Sequence, residues 1–292
     1  MFELIVRGKQ IMRKNYITTV GISLINIVMS VAWQSIAIIG LAYLLGGILK
    51  VDWMALALGM ATDTSMSAYD LFVAGNGSVA INLLAGLLPV FIISPITVGV
   101  SGTFLTLFRK SPKGAEEKIA DITIGWAFSC LSDYKRLVFG MLIKQLLLTL
   151  ASLPYYLMYF VYNLLWYFTE MEALSSGLGS TLAILARLFM YASLILQLVQ
   201  AVRLMFTEYI LYDDKTSKGF DAAKRSMAIM KDKIAFSTGI SLMLRYVLMS
   251  YLSIFTFGLW YIFSIGPYMG VAFSGFYDLW LKRKETLSEI KA

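Results

Sequence analysis

Apolar runs long enough to be membrane spans alternate with short polar stretches from one end of the chain to the other. A hydrocarbon core of about 30 Å takes about 20 helical residues to cross. Six runs meet that length: Ile17 to Leu49, Val79 to Phe108, Leu137 to Phe168, Ser180 to Tyr212, Ile234 to Ile254 and Phe257 to Leu281. Several exceed it, which predicts tilt, protrusion or kinks, with Pro89, Pro95, Pro154 and Pro267 as the kink points. The last two runs are parted only around Thr256-Phe257-Gly258 and read as a hairpin.

Shorter amphipathic stretches lead into alternate runs. Phe220, Ala223, Met227 and Met230 recur at helical spacing ahead of the fifth, and Ile119, Ile122, Trp126 and Cys130 fall on one helical face ahead of the third. The N-terminus repeats the later pattern. With Arg225 set on Arg7, Ile229-Met230 fall on Ile11-Met12 and Gly239-Ile240-Ser241-Leu242 on Gly21-Ile22-Ser23-Leu24, seven identities in eighteen positions without a gap. A lead-in plus hairpin is therefore the expected building unit. The predicted fold is all-α: a polytopic membrane protein of six transmembrane helices arranged as three hairpins, each preceded by an amphipathic interfacial helix. Residues 1–292 form a single integral membrane domain with hairpin units 1–110, 114–214 and 215–284 and a cytoplasmic tail 285–292. All three units run in the same direction, so the repeat is parallel rather than inverted.

The same C-terminal stretch carries a family resemblance. Ala222-Ala223-Lys224-Arg225-Ser226 leading to Met230-Lys231, then Gly258-Leu259-Trp260, Gly266-Pro267-Tyr268 and Phe276-Tyr277, resembles the signature of the bacterial membrane protein family known as domain of unknown function 975. Ser94-Pro95-Ile96 with Val98-Gly99, and Tyr209-Ile210-Leu211 with Asp213, resemble that family's second-span and fourth-span motifs. Asp232 departs from the pattern, which has glycine there. The resemblance implies a membrane fold over the whole chain and brings no activity with it.

Hydrophobic residues make up 59% of the chain and the mean hydropathy is +0.73, well above the roughly half-apolar composition of soluble domains. No polar stretch outside the runs exceeds roughly thirty residues, too few for a separate soluble domain. Charge predicts the orientation. Lys and Arg number four at the N-terminus, six from Arg109 to Arg136, six from Lys215 to Lys233 and four at the C-terminus, against Lys50 alone on the other side. By the positive-inside rule both termini are cytoplasmic, in the cell membrane. The +7 net charge then reports contact with anionic lipid headgroups, not nucleic-acid binding. The first run is far longer than a secretory signal core and reads as a retained anchor. The loop from Val51 to Ser78 reads as a membrane-surface segment with exposed turns, a connector or a lid.

The chain has no histidine and one cysteine, Cys130, which removes imidazole acid-base chemistry, most zinc sites and any internal disulfide. Neither a nucleophile elbow nor a phosphate-cradling glycine loop occurs. No enzyme, cofactor or metal site is expected.

The sharper signal is charge within the runs: Lys144, Arg187, Arg203, Glu208, Arg245 and Asp278. Lys144 and Arg187 lie about 10 Å inside their runs and can snorkel, and Arg203 can pair with Glu208 or Asp278. Arg245, eleven residues past Ile234, falls about 16 Å deep, near the midplane. It either joins a polar network that holds the bundle together or is the centre of a ligand-binding set, Arg245, Gln197, Gln200 and Arg203, that receives an anion. Asn26, Gln34 and Asn163 are further neutral partners. The tyrosines at 155, 156, 159 and 162 either line a cavity or face lipid. Two functions stay open: binding or translocation of an amphipathic or anionic small molecule or lipid, and an interaction protein of envelope stress, immunity or assembly with no transported substrate.

Overall fold

The structure is a computed structural model that describes residues 2–49, 76, 81, 83–111, 119, 121–171, 175–256 and 258–289. The predicted loop from Val51 to Ser78, apart from Asn76, lies outside the described residues, and these contain no strand. The elements are α1 (Phe2–Lys14), α2 (Tyr16–Leu49), α3 (Val90–Lys110), α4 (Tyr134–Glu170), α5 (Ser176–Leu204), α6 (Thr207–Asp213), α7 (Gly219–Ile229), α8 (Lys233–Leu252) and α9 (Gly266–Glu289). Among the described residues, five stretches are helical, long and apolar enough to cross a membrane: Tyr16–Leu44, Val90–Lys110, Ile124–Thr169, Gly177–Asp213 and Lys233–Thr256. Over the predicted sixth run, Gly258 turns the chain at φ 79°, a single π-helical turn spans Tyr261–Ile265, and α9 follows with Pro267 in its first turn. Positive φ costs glycine nothing, which explains why the turn sits there.

Each helix break has a local cause. Between α1 and α2 the buried Asn15 donates through Nδ2 to the Ile11 carbonyl at 3.2 Å, while its Oδ1 accepts from the Ile119 amide at 3.2 Å. The carboxamide thus ties the end of α1 to the segment that precedes α4 and satisfies a backbone group in each. Asp232 caps α8 by accepting from the Ile234 and Ala235 amides at 2.8 and 3.1 Å, so the helix restarts there through an N-cap. At Met205–Phe206, between α5 and α6, the Ser226 hydroxyl of α7 accepts from the Phe206 amide and donates to the Arg203 carbonyl. The first and last lead-ins, α1 and α7, are both separate helices ahead of a longer one.

The middle lead-in differs from expectation. In place of one amphipathic α-helix, two 3-10 turns cover Ile124–Phe128 and Leu131–Asp133. Ile119, Ile122 and Trp126 join one apolar cluster and Cys130 packs on another. Gly125 and the β-branched Thr123 and Ile124 favour helix weakly. The segment also presses onto α3: a Cβ on Gly99 would lie 2.1 Å from the Ala127 carbonyl oxygen.

Contacts divide the chain into two compact units. The first contains Met1–Val31, Phe91–Lys144 and Val202–Ala292; the second contains Ala32–Val90 and Gln145–Ala201. In the first unit α3 is the core helix, with 72% of its most apolar window buried against 11–22% in the other four stretches. Phe206 packs on Phe276 and Tyr277 at 5.0 and 5.3 Å between ring centres, and Tyr209 stacks on Tyr277. Close approach needs glycine here too, since a Cβ on Gly102 would lie 2.0 Å from the Tyr212 ring. The second unit presents large apolar side chains outward along α4 and α5, among them Leu150, Leu157, Ile184, Leu188 and Ile195, each more than half exposed. Water penalises such a surface and lipid does not.

Candidate binding cleft

One face of α4 carries a polar stripe through otherwise apolar sequence. Gln145, Thr149, Ser152 and Tyr156 follow one another at helical spacings of four, three and four, with Leu148 beside Thr149, so they stack on a single face over about 16 Å. Gln197 and Ala201 of α5, with Leu83 and Gly86 from the helical residues 83–87, face this stripe. Together they line a half-open cleft of about 250 Å³ that belongs wholly to the second unit. A Cβ on Gly86 would meet Gln145 Nε2 at an ordinary contact distance of 3.5 Å, so a side chain there would enter the cleft without a clash at its first atom. Tyr155 meets Tyr156 edge to face at 5.5 Å.

The polar groups of the cleft are largely uncommitted. Ser152 donates to the Thr149 carbonyl at 2.7 Å. The side chains of Gln145, Thr149, Tyr156 and Gln197 make no hydrogen bond among the described residues. Among the described residues no charged side chain lines the cleft.

Several charged residues of the apolar helices are committed instead. In the first unit Lys144 Nζ lies 2.5 Å from Glu208, each side chain only 17% exposed, and Ser101 donates to the same carboxylate at 2.8 Å. Lys144 therefore does not merely snorkel, and Glu208 is taken by it rather than by Arg203. Asp278, 3% exposed, pairs with Arg109 at 2.7 Å and Lys282 at 2.8 Å. Arg109 also grips Asp213 with two parallel bonds of 2.7 Å, a planar fork that an ammonium cannot imitate. Beside them Arg225 meets Asp214 at 2.6 Å; this contact and the Thr216 hydroxyl and amide hold the Asp214 carboxyl down at about 2, the Thr216 hydroxyl weighing most. In the second unit Arg187 is hydrogen-bonded to the Tyr162 hydroxyl, with its guanidinium 4.8 Å from that ring centre.

The expected ligand set is thus divided. Gln197 and Gln200 belong to the second unit, Arg203 and Arg245 to the first, and of the four Gln197 alone lines the cleft. Arg203 points its side chain to the exposed surface. Arg245 is half-buried, its charge acting on the Tyr268 hydroxyl, and it makes no hydrogen bond or ion pair among the described residues. Gln145, Thr149 and Ser152 were missed by sequence reasoning. Their signal was present, since polar residues at i, i+4 and i+7 in an apolar run mark one helix face. Among the described residues no group of three or more side chains could hold a metal ion. No protein-family model matches the chain, and no curated protein or solved structure matches it either.

Proposed function

We propose that this is a non-enzymatic integral protein of the cell membrane that binds, and in doing so can translocate, an amphipathic small molecule or lipid in the cleft between Gln145 and Gln197. In this proposal the chain has six spans arranged as three hairpins, with both termini cytoplasmic and basic segments against anionic headgroups. The carrying observation is the set of polar side chains, Gln145, Thr149, Tyr156 and Gln197, that line the cleft without a hydrogen-bond partner among the described residues. These half-exposed amides and hydroxyls on otherwise apolar helices can bond a ligand's polar head without first giving up bonds to one another. Arg245 carries less weight as an anion site, because it does not share the cleft's unit.

The test is native mass spectrometry of the full chain, extracted with its lipids, beside Gln145→Leu and Gln197→Leu. A bound amphiphile retained by the unsubstituted protein and lost from both variants is expected. The same bound species in all three would contradict the cleft as its site. The mutual pairing of Lys144 with Glu208 and of Arg109 with Asp213 and Asp278 favours a second reading, an interaction protein in which charge serves packing alone. Absence of any retained amphiphile would leave that reading ahead.

A further inference from the structure

The chemistry of the cleft points beyond binding as such to the kind of head group it takes. We infer, resting on the proposed binding role, that the ligand is an uncharged lipid with free hydroxyls, of the monoacylglycerol class, and not a phosphate- or carboxylate-bearing one. Gln145 and Gln197 each offer two N–H donors and a carbonyl acceptor, and the Thr149 and Tyr156 hydroxyls donate or accept. A polyol head needs that mixture, because every hydroxyl both donates and accepts. An anion needs donors alone, and the two amide carbonyls would repel it.

Charge balance points the same way. A phosphate in an apolar cleft requires a cation, as unpaired buried charge is far costlier than an unpaired hydroxyl. None lines the cleft among the described residues. Arg187, the cation of the same unit among the described helices, is bound to Tyr162 through its guanidinium. Size fits as well: about 250 Å³ is room for about eight waters at roughly 30 Å³ each. That holds a glycerol head and the first carbons of one chain, while Leu83, Leu148 and Ala201 supply apolar wall for the chain.

The experiment uses the full chain in phosphatidylcholine nanodiscs with tritiated 1-monooleoylglycerol as probe. Competitors are 1-oleoyl lysophosphatidate, oleate and methyl oleate, which keep the chain and change the head. Saturable probe binding is expected, with each competitor at least tenfold weaker than unlabelled monooleoylglycerol. Gln145→Leu and Gln197→Leu should each weaken the probe about tenfold. Gly86→Val, which narrows the cleft without removing a polar group, should do the same with thermal unfolding unchanged. Lysophosphatidate binding as tightly as the probe, and lost in the same variants, would overturn the uncharged head while leaving the cleft as the site. Binding indifferent to all three substitutions, or no saturable binding of any probe, would overturn both.

Discussion

Removing either partner of the Lys144–Glu208 pair should damage the first unit more than removing both. Their separation of 2.5 Å and side-chain exposures of 17% each describe a nearly desolvated pair. Stripping one partner from a fully buried pair costs about 3–5 kcal/mol because the other charge is left uncompensated. Here two features reduce that figure. Residual exposure lets some solvent reach the orphan, and Ser101 at 2.8 Å still donates to Glu208 when Lys144 is gone, a contact worth about 1 kcal/mol. Lys144→Met and Glu208→Leu should therefore each cost about 2 kcal/mol. The double variant should cost about 1 kcal/mol, since matched apolar groups replace both charges and the Ser101 hydroxyl can turn back to its own helix. The coupling energy is then about 3 kcal/mol. It is measured as a double-mutant cycle by reversible unfolding of the full chain in mixed micelles. Single variants within about 0.5 kcal/mol of the unsubstituted protein, or a double variant costing the sum of the two, would refute the pairing.

Three further outcomes follow from the same structure. With Cys130 replaced by serine, a cysteine at Met171 should react with an impermeant thiol reagent in intact cells and one at Lys231 should not; the reverse pattern would invert the proposed topology. Gly99→Ala should destabilise the fold strongly in thermal unfolding, since its Cβ would fall 2.1 Å from the Ala127 carbonyl, whereas Gly40→Ala, with nothing within 4 Å, should be neutral or stabilising. The depressed Asp214 carboxyl contributes stability above its unfolded value near 3.8 and loses it as pH falls through about 2. The Arg225–Asp214 contact should therefore persist at pH 4, and Asp214→Asn should remove part of the acid dependence of unfolding between those values.

What the sequence made legible is what depends on near neighbours along the chain. Apolar run length marked the long helices, Gly258 marked a turn, and the lead-ins at both ends marked breaks that the structure makes at Asn15 and ahead of Lys233. Tertiary choices were not legible. Nothing local says that Glu208 prefers Lys144, sixty-four positions away, to Arg203, five positions away; that depends on α4 and α6 packing side by side within the first unit. The 3-10 turns of Ile124–Phe128 were hidden for the same reason, because apolar spacing suits a helix while contact with Gly99 decides the backbone. At the cleft, sequence reasoning ranked charge above neutral polarity and so centred on Arg245. The stripe from Gln145 to Tyr156 shares one helix face, yet whether a polar stripe meets a partner, lipid or a cleft is settled only by the neighbouring helix.

The most direct measurement is an experimental density map of the full chain in a lipid nanodisc, resolved well enough to see side chains around Gln145 and Gln197. The expected result is a head group between the two carboxamides, within about 3 Å of both, with its chain running along Leu148 and Ala201. Carboxamides bonded to each other across a closed, empty cleft would contradict the account.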